Sequence, residues 1–161
     1  MTAADLIQTI RTSQGNIKLR VPEDDVSTLP SLLMDEEVIR ELKLHNVTTL
    51  DLSGNKLGKL SAAELAAMLH ALKDTNVTTI NLSYCNLEGF SADELATVLS
   101  ALKGTNVTTI NLTGNKLGHF DADKQARVLD GLKDTKVTAI NLSGCMLTSR
   151  ILGVFKNTNV T

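Results

Sequence analysis

From Asn46 to Thr75 the chain reads NVTTLDLSGNKLGKLSAAELAAMLHALKDT, and it then says nearly the same thing twice more. NVTTINLSYCNLEGFSADELATVLSALKGT runs from Asn76 to Thr105, and NVTTINLTGNKLGHFDADKQARVLDGLKDT from Asn106 to Thr135. A shorter unit, KVTAINLSGCMLTSRILGVFKNT, starts at Lys136, and Asn159-Val160-Thr161 repeat the opening words once more. A fixed period of 30 residues is the signature of a stacked array. A unit this small cannot bury its own apolar face, so its neighbours must cover it.

Each unit opens with V-x-x-[LI]-x-L-x-x-[NC]-x-L. The four sets are Val47, Leu50, Leu52, Asn55 and Leu57; Val77, Ile80, Leu82, Cys85 and Leu87; Val107, Ile110, Leu112, Asn115 and Leu117; and Val137, Ile140, Leu142, Cys145 and Leu147. Alternation at L-x-L predicts a short strand with one buried face. The second half of each unit predicts a helix. Ser61-x-x-Glu64 and Ser91-x-x-Glu94 have the form of capping boxes, and Asp121 can still cap although Lys124 replaces the glutamate. Leu65, Met68, Leu69 and Leu72 follow at helical spacing, as do Leu95, Val98, Leu99 and Leu102. Lys73, Lys103 and Lys133 stand near the helix ends, where the macrodipole favours a cation.

This pattern resembles that of leucine-rich-repeat proteins, and its length is closest to the long-repeat, ribonuclease-inhibitor-like subclass, in which Asn and Cys both occupy the turn position. The resemblance implies an α/β solenoid of horseshoe form, with a parallel sheet on the concave face and helices on the convex face. Repeats are expected over 46–161, as units 46–75, 76–105, 106–135 and a shortened 136–158. Residues 1–45 are expected to form an N-terminal cap containing a degenerate first unit. There the first dozen residues predict a helix, Ile17 to Val21 a strand, and Leu33 to Leu44 a second helix.

Composition narrows the function. A formal charge of −2 over 161 residues offers no basic stripe for nucleic acid. No run approaches the roughly 18 apolar residues that span a bilayer, so no membrane segment is expected. The start, MTAADLIQTIRTSQG, lacks the basic and long apolar regions of a secretory signal, so a cytoplasmic location is expected. Cys85 and Cys145 lie two units apart, roughly 9–10 Å at the strand spacing. That is beyond the ~7 Å reach of a disulfide, so free buried thiols are expected.

No catalytic or metal-binding constellation is evident. His45, His70 and His119 fall at different positions in their units, and neither a cofactor nor a metal site is expected. The acidic groups Glu23-Asp24-Asp25 and Asp35-Glu36-Glu37 read as surface or first-turn charges. Seven N-x-[ST] triplets occur as by-products of the repeat.

The expected binding surface is the outward row of each strand: Thr49, Asp51 and Ser53; Thr79, Asn81 and Ser83; Thr109, Asn111 and Thr113; and Asn141 with its neighbours Ala139 and Ser143. Lys56, Asn86, Lys116 and Met146 join it from the turns, near His119. Tyr84 stands where the other units have Gly54, Gly114 and Gly144, and an aromatic that appears once in a uniform row is the first candidate anchor.

The near-identical units are similar to those of effectors that intracellular bacterial pathogens deliver into host cells. That resemblance implies a non-enzymatic module that binds and masks or scaffolds a protein, either a host enzyme or another bacterial effector, with inhibition of an enzyme as one form. Two alternatives stand beside it. One is self-association through the C-terminal end, and the other is the recognition half of a longer protein with catalysis elsewhere.

Overall fold

In the computed structural model the chain is described over residues 1–146. Five strands, β1 (Asn16–Lys18), β2 (Thr49–Asp51), β3 (Thr79–Asn81), β4 (Thr109–Asn111) and β5 (Ala139–Asn141), form one parallel sheet in sequence order. From β2 onward each strand pairs with the residue 30 positions later, Leu50 with Ile80 with Ile110 with Ile140. In β2, β3 and β4 the central residue is buried and its two neighbours are half-buried, the alternation that L-x-L predicts.

Helices α4 (Ala62–His70), α5 (Ala92–Ser100) and α6 (Ala122–Asp130) back the sheet. Ser61 with Glu64 and Ser91 with Glu94 close both halves of their capping boxes, and Asp121 accepts from the Lys124 N–H. At the far end Thr75, Thr105 and Thr135 each donate to the carbonyl three residues back and accept from the N–H two residues on. This brings the chain from helix into the next strand. Strands sit about 4.8 Å apart and packed helices about 8–10 Å apart, so the stack must curve with the sheet inside. Between the layers lies a core of Leu, Ile and Val, closed by Leu60, Phe90 and Phe120 at one shared position.

The turn after each strand dictates the rest. Gly54 and Lys56 both have positive φ, as do Tyr84 and Asn86, Gly114 and Lys116, and Gly144 and Met146. Two left-handed residues within three leave backbone groups pointing inward with no partner in their own unit. The buried side chain of the following unit supplies it. Asn115 donates to the Leu82 and Leu112 carbonyls (2.8 and 2.9 Å) and accepts from the Cys85 and Leu87 N–H groups (2.9 and 3.3 Å). Asn55 does the same toward Leu19, Leu52 and Val21.

Cysteine fills the alternate rungs. Cys85 donates its S–H to the Leu52 carbonyl at 3.2 Å, and Cys145 to that of Leu112 at 3.1 Å. Both thiols are free and buried. Burial pushes the Cys85 thiol up to about 11, against the pull of the Asn55, Gly54 and Leu57 N–H groups.

The N-terminal part departs from expectation in detail. Helix α1 (Ala3–Thr12) starts at a capping box of Thr2 and Asp5. β1 is three residues long rather than five, because beyond Lys18 only the Leu19 N–H still reaches β2, and the Val21 N–H turns to Asn55. The helix expected over Leu33–Leu44 is two helices, α2 (Leu29–Leu33) and α3 (Glu36–Leu44), because Asp35 stops to cap the second. Glu41 falls on the same face of α3 as Val38 and Leu42 and is 4% exposed. It takes two hydrogen bonds from the Arg11 guanidinium and stands 3.3 Å from His45, pinning α1 to α3. The shortened last helix, Leu147, and the C-terminal end invoked for self-association lie outside the described residues.

Two outcomes follow for stability. Asn115→Leu leaves the Cys85 and Leu87 N–H groups and the Leu82 carbonyl unpaired in the core and is expected to cost at least about 3 kcal/mol. Asn115→Cys copies the neighbouring rungs and is expected to cost far less. Equal urea midpoints for the two variants would show that the turn column is not the stabilising element.

Acid is the second test. Lys56 first and Lys59 second hold the Glu23 carboxyl down to about 2 from 4.5. A lowered folded-state value means stability present above about pH 4.5 and lost as the pH falls toward 2. Glu23→Gln is expected to flatten the fall of the melting temperature across that window, and an unchanged slope would contradict it.

Candidate protein-binding face

On the outward side of the sheet, residues two apart along a strand share a face, and the 30-residue register aligns them across strands. Asp51, Asn81, Asn111 and Asn141 thereby form one row, and Thr49, Thr79, Thr109 and Ala139 another. The sheet brings these candidates together as a continuous patch. Lys56, Asn86, Lys116 and Met146 form a rim beside it, each at the second left-handed position of its turn.

The acidic and amide row is locally engaged. Asp51 Oδ1 accepts from the Ser53 N–H at 2.9 Å, Asn81 Oδ1 from Ser83 at 3.0 Å, Asn111 Oδ1 from Thr113 at 2.9 Å and Asn141 Oδ1 from Ser143 at 3.0 Å. These are Asx turns that carry the chain off the strand. Sequence reading registered the N-L-[ST] triplets only as by-products of the repeat, yet Asn or Asp two residues before Ser or Thr at a strand end was the available signal. Asp51 also pairs with Lys18 at 3.3 Å. Partial burial raises its carboxyl, but the Ser53 bonds and Lys18 outweigh this and leave it below the usual range.

Ser83 is a correction. Expected on the face, it is only 6% exposed, and its carbonyl accepts from the Gly54 N–H. Thr113 is half-buried, with a hydroxyl oxygen that finds no partner among the described residues. Ser53 is half-buried. On the rim, Lys56 and Lys59 both pair with Glu23, and Lys116 stands 3.6 Å from Glu88. Asn86 is exposed, and Met146 is 81% exposed.

Tyr84 takes the first left-handed position of its turn. Its φ is +55°, a conformation that costs an L-residue about 1–2 kcal/mol and that three other units assign to glycine. The side chain is nevertheless 63% exposed. Its ring lies on Gly114 of the next unit so closely that a Cβ there has no room.

Arg20 escaped the sequence reading. Its guanidinium lies against Gly54, 3.7 Å from where a Cβ would stand, and it enters no ion pair among the described residues. The histidines do not converge. His45 meets Glu41, His70 the Ala101 carbonyl, and His119 the Lys116 carbonyl with its ring beside Phe120. Among the described residues no three His, Cys, Asp or Glu side chains are placed to hold a metal, and no helix is long and apolar enough to cross a membrane.

Comparison with known proteins agrees with this architecture. Leucine-rich-repeat family models match residues 43–66 and 76–98. No curated protein sequence matches. Among solved structures the chain is similar to the leucine-rich repeat-containing protein LegL7 from Legionella pneumophila, with a TM-score of 0.75 and 25% identity over 97% of this chain. The chain spans 48% of that protein, about half its length. Two repeat models and a structural likeness thus agree with the geometry, and the chain folds as a leucine-rich-repeat solenoid.

Proposed function

We propose that this protein is a bacterial effector that acts by occupancy, seating a partner protein on the outward face of the sheet and masking or scaffolding it. Leucine-rich repeats are typically non-catalytic binding scaffolds, and the sheet face is rigid, continuous and polar. The observation that carries the reading furthest is Tyr84, which retains a left-handed backbone and a mostly exposed ring where glycine would relieve the strain. The likeness to a Legionella leucine-rich-repeat protein supports a bacterial setting, and the similarity to delivered effectors supports action in a host cytoplasm. The partner on this reading is a host enzyme or another bacterial effector, and covering an active site would make the protein an inhibitor.

The full chain is the bait, with Tyr84→Ala, Asn81→Asp, Asn111→Asp as the matched control. A partner held by the wild type and lost by the variant, at unchanged circular dichroism, is the expected result. Equal capture by both would move the site to the cap or the helices.

A second test separates function from folding at Tyr84. Tyr84→Gly relieves the strain but gives up the contact on Gly114, so its unfolding free energy should stay within about 1 kcal/mol of wild type. Capture should fall by at least tenfold. A large loss of stability with capture intact would make Tyr84 a structural residue.

A further inference from the structure

The Asx bonds fix which way the amides point. A backbone N–H can only donate, so the atom facing Ser83, Thr113 and Ser143 must be the amide oxygen. The Nδ2 groups of Asn81, Asn111 and Asn141 are left facing outward, and they donate to nothing among the described residues. Register puts them on adjacent strands, about 4.8 Å apart. The row is thus a ladder that offers one free amide donor per strand, while each Oδ1 already accepts one backbone N–H. The fourth rung, Asp51, has no donor and is matched by Lys18.

The charges beside the ladder lean the same way. Glu23 is matched by Lys56 and Lys59, and Glu88 by Lys116, whereas Arg20 on the same rim has no carboxylate. Resting on the sheet face as the binding site, we propose that it selects an acidic partner segment, whose Asp or Glu carboxylates accept from the Asn81, Asn111 and Asn141 amides and from Arg20. A large apolar side chain of the same segment lies on the Tyr84 ring. Free amide donors beside an unpaired cation favour a partner rich in acceptors, and carboxylates accept most strongly.

Asp51 supplies the control for the test. It makes the same Asx bond to Ser53 with a carboxylate, so Asn→Asp changes at 81 and 111 keep the turn and reverse only the outward polarity. The full chain is used to select from a displayed random 12-residue peptide library, and the enriched peptides are then measured against variants by fluorescence anisotropy. Enrichment of peptides rich in Asp and Glu is expected, with affinity falling at least tenfold on Asn81→Asp or Asn111→Asp and weakening as salt rises. Asp51→Asn adds a fourth donor and releases Lys18, and it should tighten binding severalfold. Lys73→Gln makes a similar charge change on the exposed far end of the helix layer and should have little effect.

Neutral or basic peptides, no enrichment, or equal losses from Lys73→Gln and Asn111→Asp would each overturn the proposal. Capture of a protein that depends on Tyr84 would survive those outcomes, so the occupancy reading and the acidic preference fail separately.

Discussion

The structure depends on a side chain that belongs to one unit and hydrogen-bonds the turn of the unit before it. Leaving a strand through two left-handed residues turns N–H and carbonyl groups into the core, where water cannot reach them. An unpaired buried group costs about as much as a hydrogen bond is worth, so such a turn is affordable only with an outside partner. Asn115 answers four of these groups at once, and Cys85 and Cys145 answer fewer with a softer atom. Because the partner comes from the next unit, its reach fixes the stacking distance and the register together. A one-residue slip would break the column and turn the strand leucines outward. The alignment of Asp51, Asn81, Asn111 and Asn141 is inherited from this buried column, so the proposed binding face is positioned from inside.

What the sequence made legible was whatever repeats. Period, strand and helix placement, capping boxes, the core and the isolated thiols follow from spacing that four units restate. What it hid is non-local or happens once. Glu41 pairs with Arg11 across 30 residues, and the helix pattern that puts it beside Val38 and Leu42 does not name that partner. Ser83 and Ser53 occupy equivalent positions, yet Ser83 is buried and Ser53 is not, and the two units differ at the next residue, Tyr84 against Gly54. The cap resisted reading because its unit is out of phase: Ile17 pairs with Leu50, 33 residues on, while every later pair is 30 apart.

Departures from the repeat sort by whether the fold compensates them. Gln125 takes the place of Leu65 and Leu95 in the core, and its amide donates to the Leu117 and Phe120 carbonyls. Glu88 stands where Gly58 and Gly118 let a neighbouring turn approach closely, and it is compensated only in part. Its Oε1 stands 3.6 Å from Lys116, while Oε2 is buried with no partner among the described residues. Tyr84 has no equivalent relief. Its strain is returned in part by the ring's contact with Gly114, and most of the side chain is left in water. A cost that folding does not repay is a reason to seek its return in binding.

Uniformity creates a problem for a binding face, and the same departures resolve it. A ladder of identical amides at one spacing offers a partner several equivalent seats, since sliding by one strand keeps every hydrogen bond but the last. Recognition on such a surface has affinity without register. Asp51 closes one end of the ladder by reversing its polarity, and Tyr84 marks the second unit with a shape found in no other. On the proposed reading, with those two in place only one seating satisfies the amides, avoids the carboxylate and covers the ring. The repeat supplies the rigid array, and two substitutions within it supply the address.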